Sequence, residues 1–410
     1  MRKVLISTYI TACARSAAFI MLFLFCALAG PYGDAHAGGI GSRVLVVERA
    51  TGSLAIYDYQ ERKLLPKRIE GLGNLRHALM AFTPDLRYAF LATRNGQLSR
   101  IDLTSMEVAG GVFTSENSID IAISQDGRYI ATAEYQPGGI TILDAQTLKV
   151  VKRIPTSFQH NGQEVPTRVT GIVDAPGNRF VAVQMEGARI MLIDASKPDF
   201  PVEHSFPTVD DMPYDAMITP DGRFYLVGHI ESPRVSILDL HNLNLGVREI
   251  SLLDPGKKYD KGTPFKMPHM ASWAVAGNKV FVPLVGEDRL AVLDGESWKF
   301  IASVPLRGHP VYAVVSPTGK EIWVSFSGEK DDSYIQVVDT RSMKVTKELK
   351  IGRRIYHMDF TPRGAYLLVT ANLDNKLFLV NANTYKIEDE QTLNSPSGVF
   401  GVWRAYRIGL

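Results

Sequence analysis

With 410 residues, 45 Lys and Arg against 43 Asp and Glu, and a formal charge of +2, the chain lacks the basic excess of a nucleic-acid or anionic-membrane binder. Its two cysteines, Cys13 and Cys26, both sit near the N-terminus, which excludes a disulfide framework or thiolate metal centre in the rest of the chain. No Cys-x-x-Cys-His occurs, so haem cannot be attached covalently in the c-type manner.

Residues 1–37 read as a secretory signal peptide. Arg2, Lys3 and Arg15 make a positive leader, Ala17 to Leu28 is apolar, and Ala35-His36-Ala37 offers small residues before a cut at Gly38. The apolar run is too short for a membrane span. Phe25, before Cys26, is bulky where a lipoprotein signal wants a small residue. Loss of the leader removes three basic residues and one acidic residue, leaving 42 of each in the mature chain, residues 38–410, which is expected in the periplasm.

From Arg43 onward the chain repeats. An aliphatic pair followed by Asp or Asn returns eight times, ending at Asp58, Asp102, Asp144, Asp194, Asp239, Asp294, Asp339 and Asn381, at steps of 42 to 55 residues. Upstream of seven of these, an alternating apolar strand enters a tight turn, as in Thr83-Pro84-Asp85, Ser124-Gln125-Asp126-Gly127 and Thr361-Pro362-Arg363-Gly364. A period in the forties predicts an all-β fold, an eight-bladed β-propeller, with seven blades the alternative if one irregular unit is a long insertion.

In chain order, Arg43 to Glu48 and Leu54 to Tyr59 form an incomplete first unit. The unit from Ile119 shows the full pattern: strands at Ile119–Ser124, Arg128–Glu134 and Ile140–Asp144, then a charged outer strand at Lys149–Ile154. The same order recurs from Ala216, Ala313 and Met358. The longest step, from Asp239 to Asp294, holds Asp254 to Gly262, read as a loop over one face of the ring. A lone strand, Gly398 to Trp403, ends the chain. A ring has no exposed sheet edges only if its termini share a blade, so this strand is expected to complete the first sheet.

In a propeller, the starts of the innermost strands face the channel mouth. Alignment on the turns puts Arg76-His77, Asn117-Ser118 with Asp120, Arg168, Tyr214-Asp215, His269, His309 with Tyr312, and Arg353-Arg354 with Tyr356-His357 there. Asp120, Asp215 and His357 each stand four residues before the turn's Ser or Thr, where other units carry Leu79 or Gly171. Each histidine is equally suited to a structural hydrogen bond, and the two aspartates to capping backbone amides. The mouth arginines form a carboxylate cradle, because guanidinium grips carboxylates with two prongs. The Asp residues at the blade ends are turn-formers. No phosphate loop, Gly-x-Ser-x-Gly elbow or His-x-x-x-His is present.

The run Arg76-His77-Ala78-Leu79-Met80-Ala81-Phe82-Thr83-Pro84-Asp85, continuing through Arg94-Asn95-Gly96 to Asp102, resembles the early blades of the d1-haem propeller family found in cytochrome cd1 nitrite reductase. The segment Asn117 to Arg128, and the lack of a c-type haem domain, make the chain more similar to the periplasmic branch needed to make d1 haem. The resemblance implies that His77 is the axial ligand to haem iron, with a part in catalysis. It also implies that Asp120 is an acid–base group beside the pocket, and that His269 and His309 match distal-pocket histidines.

Asn117, Arg168, Asp215, Arg353 and His357 complete the expected cofactor-binding set. The expected ligand is d1 haem or an iron-tetrapyrrole precursor of it, and the expected partners are other d1-haem assembly proteins and nitrite reductase. Without a c-type haem there is no electron entry, so nitrite reduction is not expected. Two roles stay open: a dehydrogenase-like enzyme modifying tetrapyrrole side chains, or a non-catalytic carrier delivering the cofactor. A propeller that only binds proteins is a third, which fold alone does not exclude.

Overall fold

The computed structural model describes residues 39–230, 232–257 and 273–407. The leader expected at residues 1–37, His269, and most of the loop after Asp254 lie outside the described residues. Among the described residues, no helix is long and apolar enough to cross a membrane.

Eight four-stranded antiparallel sheets form the blades of a propeller. Blade 1 takes its innermost strand from the end of the chain, Pro396–Gly401, which pairs with Arg43–Glu48; Ser53–Asp58 and Lys63–Ile69 complete it. The innermost strands of blades 2 to 8 are Ala78–Phe82, Asn117–Ile123, Val169–Ala175, Pro213–Ile218, Ala274–Ala276, Pro310–Val315 and Ile355–Phe360, each followed by three more in sequence order. The shared first blade agrees with the expectation from the incomplete end units.

Burial explains the strand sequences. Middle strands such as Ser53–Asp58 and Phe224–His229 are buried along their whole length, because both faces of each sheet pack on a neighbouring blade. Outer strands such as Glu107–Phe113 and Lys344–Lys350 carry charge and exposure. Apolar side chains gather into eight clusters, one per blade junction, including one in which Val44, Val46, Tyr57 and Val399 of blade 1 meet Leu368, Leu377 and Leu379 of blade 8.

The recurring turns are built by short-range hydrogen bonds. Ser124 donates to Asp126 at 2.6 Å and accepts from the Tyr129 N–H at 3.0 Å; Thr83 makes the same pair with Asp85 and Tyr88. At the blade ends, Asp102 Oδ1 accepts from the N–H groups of Thr104 and Ser105, and Asn381 Oδ1 from those of Asn383 and Thr384. These are Asx turns, as the composition predicted. Four residues on, the chain passes through the left-handed region at Arg62, Met106, Leu148, Trp298, Met343 and Tyr385, and the outer strand starts with a bulge.

Two elements depart from the sequence reading. Ser157–His160 and Gln163–Pro166 pair as an extra hairpin between blades 3 and 4, turning at Asn161-Gly162, both at positive φ. The closing strand stops at Gly401 rather than Trp403, and Val402–Tyr406 forms a 3-10 turn inside the ring. There Arg404 Nε meets Asp359 Oδ2 at 3.1 Å and Arg407 Nη1 meets its other oxygen at 3.3 Å. This C-terminal turn divides the hollow at the mouth from two cavities of about 450 Å3 and 270 Å3 on the side of the blade turns.

Closure by the last strand has a measurable consequence. Phe400 is 2% exposed, so Phe400→Ala should lower unfolding free energy in urea by about 3–5 kcal/mol. Phe113→Ala, on an outer strand and 64% exposed, should stay within about 0.5 kcal/mol of the parent.

Candidate functional site

The hollow at the mouth is a cavity of about 480 Å3. Five of the eight innermost strands give it the residue four before the turn: Leu79, Asp120, Asp215, Tyr312 and His357 all line it. His77, half-buried just before the blade 2 strand, faces the same space. Arg49 and Arg354 line it from the ends of blades 1 and 8, and Arg404 reaches it from the C-terminal turn.

Asp120 is the most constrained of these groups. It is 3% exposed, and its Oδ2 accepts the Gly171 N–H at 2.8 Å and the Thr170 hydroxyl at 3.3 Å. Gly171 sits at φ +62°, a conformation that costs glycine little and turns its amide toward blade 3. A Cβ there would lie 2.7 Å from Ala216 Cβ and 2.9 Å from the Tyr225 hydroxyl, which donates to the Gly171 carbonyl. Burial pushes the Asp120 carboxyl up to about 6, against the opposing pull of its two hydrogen bonds. Asp120 is thus mainly ionised at neutral pH, yet close enough to titration to give and take a proton.

Around it, burial raises the phenols of Tyr135 and Tyr214, with the negative charge of Asp215 adding to the effect. On the opposite side Arg49 and Arg354 line the cavity together with Glu329 and Asp332. The Arg49 guanidinium lies 4.1 Å from the centroid of the Tyr356 ring, and its buried Nε has no hydrogen-bond partner among the described residues. Arg354 enters no ion pair among them either.

Of the residues expected at the mouth, His77, Asp120, Tyr214, Asp215, Tyr312, Arg354, Tyr356 and His357 come together in this cavity. Four others do not line it. Arg168 is held by Glu186, His309 Nδ1 lies 2.9 Å from Asp288 on an exposed surface, and Arg353 Nε bonds Asp374 at 2.7 Å. Asn117 lies just before the cavity wall, its Oδ1 buried without a partner. Strand alternation sends these side chains sideways or outward. Arg49 and Arg404 were missed because they follow strands rather than start them, and Phe400 because it stands near the end of the closing strand. Tyr312 carried a signal: it stands four residues before Ser316, in register with Asp120 and His357.

The Asp120 environment sets a pH dependence. A carboxyl raised in the folded state stabilises the protein fully below its unfolded value of 3.8, and that contribution is lost as pH rises through about 6. Asp120→Asn should therefore melt near the parent at pH 4 and increasingly above it by pH 8. A constant gap across that range would contradict the burial of this carboxylate. Gly171→Ala should lower the melting temperature at every pH.

Comparison with known proteins follows the geometry. The family described as "Cytochrome D1 heme domain" matches residues 40–405. Protein NirF of Stutzerimonas stutzeri and Protein NirF of Pseudomonas aeruginosa are each 37% identical to this chain, over 91% of it and 94% of their own length. The solved structure of dihydro-heme d1 dehydrogenase NirN in complex with DHE superposes with a TM-score of 0.76 at 20% identity, over 92% of this chain and 79% of that one. A match along almost the whole propeller, at this identity, makes the chain a member of the cytochrome D1 heme domain family and, within it, of the NirF proteins.

Proposed function

We propose that this protein binds an iron tetrapyrrole of the d1-haem type in the mouth cavity and acts late in d1-haem biosynthesis, in the periplasm, ahead of nitrite reductase maturation. The observation that carries the reading is one cavity joining an imidazole, a buried acid pair and unpaired guanidinium groups in a member of this family. A relative matched over most of its propeller is named for dehydrogenation of dihydro-heme d1, and its solved structure holds DHE.

The residues suit such a ligand. The orphaned Nε of Arg49 and the free charge of Arg354 are matched to peripheral carboxylates, which they would grip as charge-assisted hydrogen bonds. His77 would hold the iron, since neutral imidazole binds haem iron well. Iron, when bound, supplies a coordination site and an electron reservoir. Asp120 holds or moves a proton at Oδ1 or Oδ2 beside the macrocycle, and Asp215 keeps that side of the cavity anionic. Wall residues Ile119, Ile355 and Phe400 exclude water from the faces of the ring.

Titration of residues 38–410 with d1 haem and with its dihydro precursor tests this. A saturable shift in the visible spectrum at one ligand per chain is expected, and the absence of any shift would refute the reading. His77→Ala should move the bound-ligand absorption bands; unchanged bands would remove His77 as the iron ligand. Asp120→Ala should still bind the ligand saturably and should stop cofactor production. Production at the parent rate in that variant would remove Asp120 from the mechanism, whereas one-to-one saturation of the parent by precursor without spectral turnover would make the protein a carrier rather than an enzyme.

A further inference from the structure

His357 is packed in the cavity wall between Tyr312 and Phe400, with ring centroids 4.9 Å and 5.8 Å away. Both of its nitrogens are engaged. The Val399 N–H points at Nδ1 from 3.3 Å, and Nε2 lies 2.8 Å from the Tyr312 hydroxyl. A backbone amide can only donate, so Nδ1 must carry its lone pair. Burial, reinforced by the nearby Arg404 guanidinium, keeps the ring neutral. Its single proton therefore sits on Nε2 and is given to the Tyr312 oxygen.

Two consequences follow for the cavity. His357 has no lone pair left for iron, which separates it from His77. Tyr312 already accepts from Nε2–H, and the Arg404 guanidinium, which has donors only, approaches the same oxygen. The phenol proton must go elsewhere. Asp359 does not take it: its oxygens meet Arg404 and Arg407, and the Tyr312 hydroxyl makes no hydrogen bond to it among the described residues. Tyr312 lines the cavity, so its proton is available there.

We infer that His357 fixes Tyr312 as a one-way hydrogen-bond donor into the cavity, and that Tyr312 reads an oxygen acceptor, carbonyl or carboxylate, on the periphery of the bound tetrapyrrole. The inference rests on the tetrapyrrole reading above and adds a selectivity to it. Tyr312 contacts the ligand; His357 is a positioning residue that acts through it.

Two probes separate the possible acceptors: haemin, which carries carboxylates only, and an iron dioxoisobacteriochlorin, which carries ring carbonyls. Tyr312→Phe should weaken binding by about fivefold to tenfold, the worth of one hydrogen bond. Loss with both probes assigns the carboxylate, and loss with the dioxo probe alone assigns the carbonyl. His357→Phe should lose a similar factor, and the double variant no more than either single one. Fully additive losses would overturn the coupling.

Nitrogen NMR of the ligand-free protein at pH 7 should show His357 with a lone-pair Nδ1 and a protonated Nε2; the opposite tautomer overturns the inference. Tight parent binding with Tyr312→Phe unchanged for both probes overturns it alone. A parent that binds neither probe overturns it together with the tetrapyrrole reading.

Discussion

Apolar packing between consecutive sheets governs everything else in this structure. Each blade is buried on both faces, so each junction needs its own cluster of side chains, and all eight junctions have one. Sheets locked to both neighbours cannot slide along the channel axis. A given position of the innermost strand therefore recurs at one height around the ring. Asp120, Asp215, Tyr312 and His357 are distant in sequence, yet their common distance from the turn brings them to one cavity.

That regularity also explains the electrostatics. Charge inside an apolar ring is costly unless the backbone answers it. Asp120 is answered by a single amide, aimed by a glycine whose left-handed backbone is braced from behind by Tyr225. The compensation is partial, and the carboxyl stays close to neutral titration. Across the cavity, Arg404 is paired with Asp359, whereas Arg49 lies over the Tyr356 ring and its Nε has no hydrogen-bond partner among the described residues. Settled charges lie on the channel floor, and unsettled ones face the opening.

Much of the fold was legible because its determinants are local. Alternation, the Ser or Thr that bonds Asp two residues on, and the Asx turn at each blade end all act within a few residues, so the chain displays them openly. The shared first blade followed from two incomplete ends. Side-chain pairing was not legible. Arg168 with Glu186, His309 with Asp288, and Arg353 with Asp374 join residues about twenty apart, on adjoining strands or loops, and nothing in the spacing announces them. The hairpin at Asn161-Gly162 had a strong local signal, but it interrupts the period and was absorbed into a connection. Arg49 and Arg404 escaped because the repeat marks strand beginnings.

The pairing of Arg43–Glu48 with Pro396–Gly401 ties the order of synthesis to the order of folding. The earliest strand of the ring to be made has no inner neighbour until the final residues appear. Seven sheets can assemble beforehand, but the earliest one presents a bare ladder edge throughout that interval, the kind of edge that recruits other chains. Completion of the toroid and placement of Arg404 at the base of the cavity then happen together, because only two residues separate Gly401 from that arginine. The cavity thus acquires its base in the same event that removes the vulnerable edge, and an unfinished chain has neither.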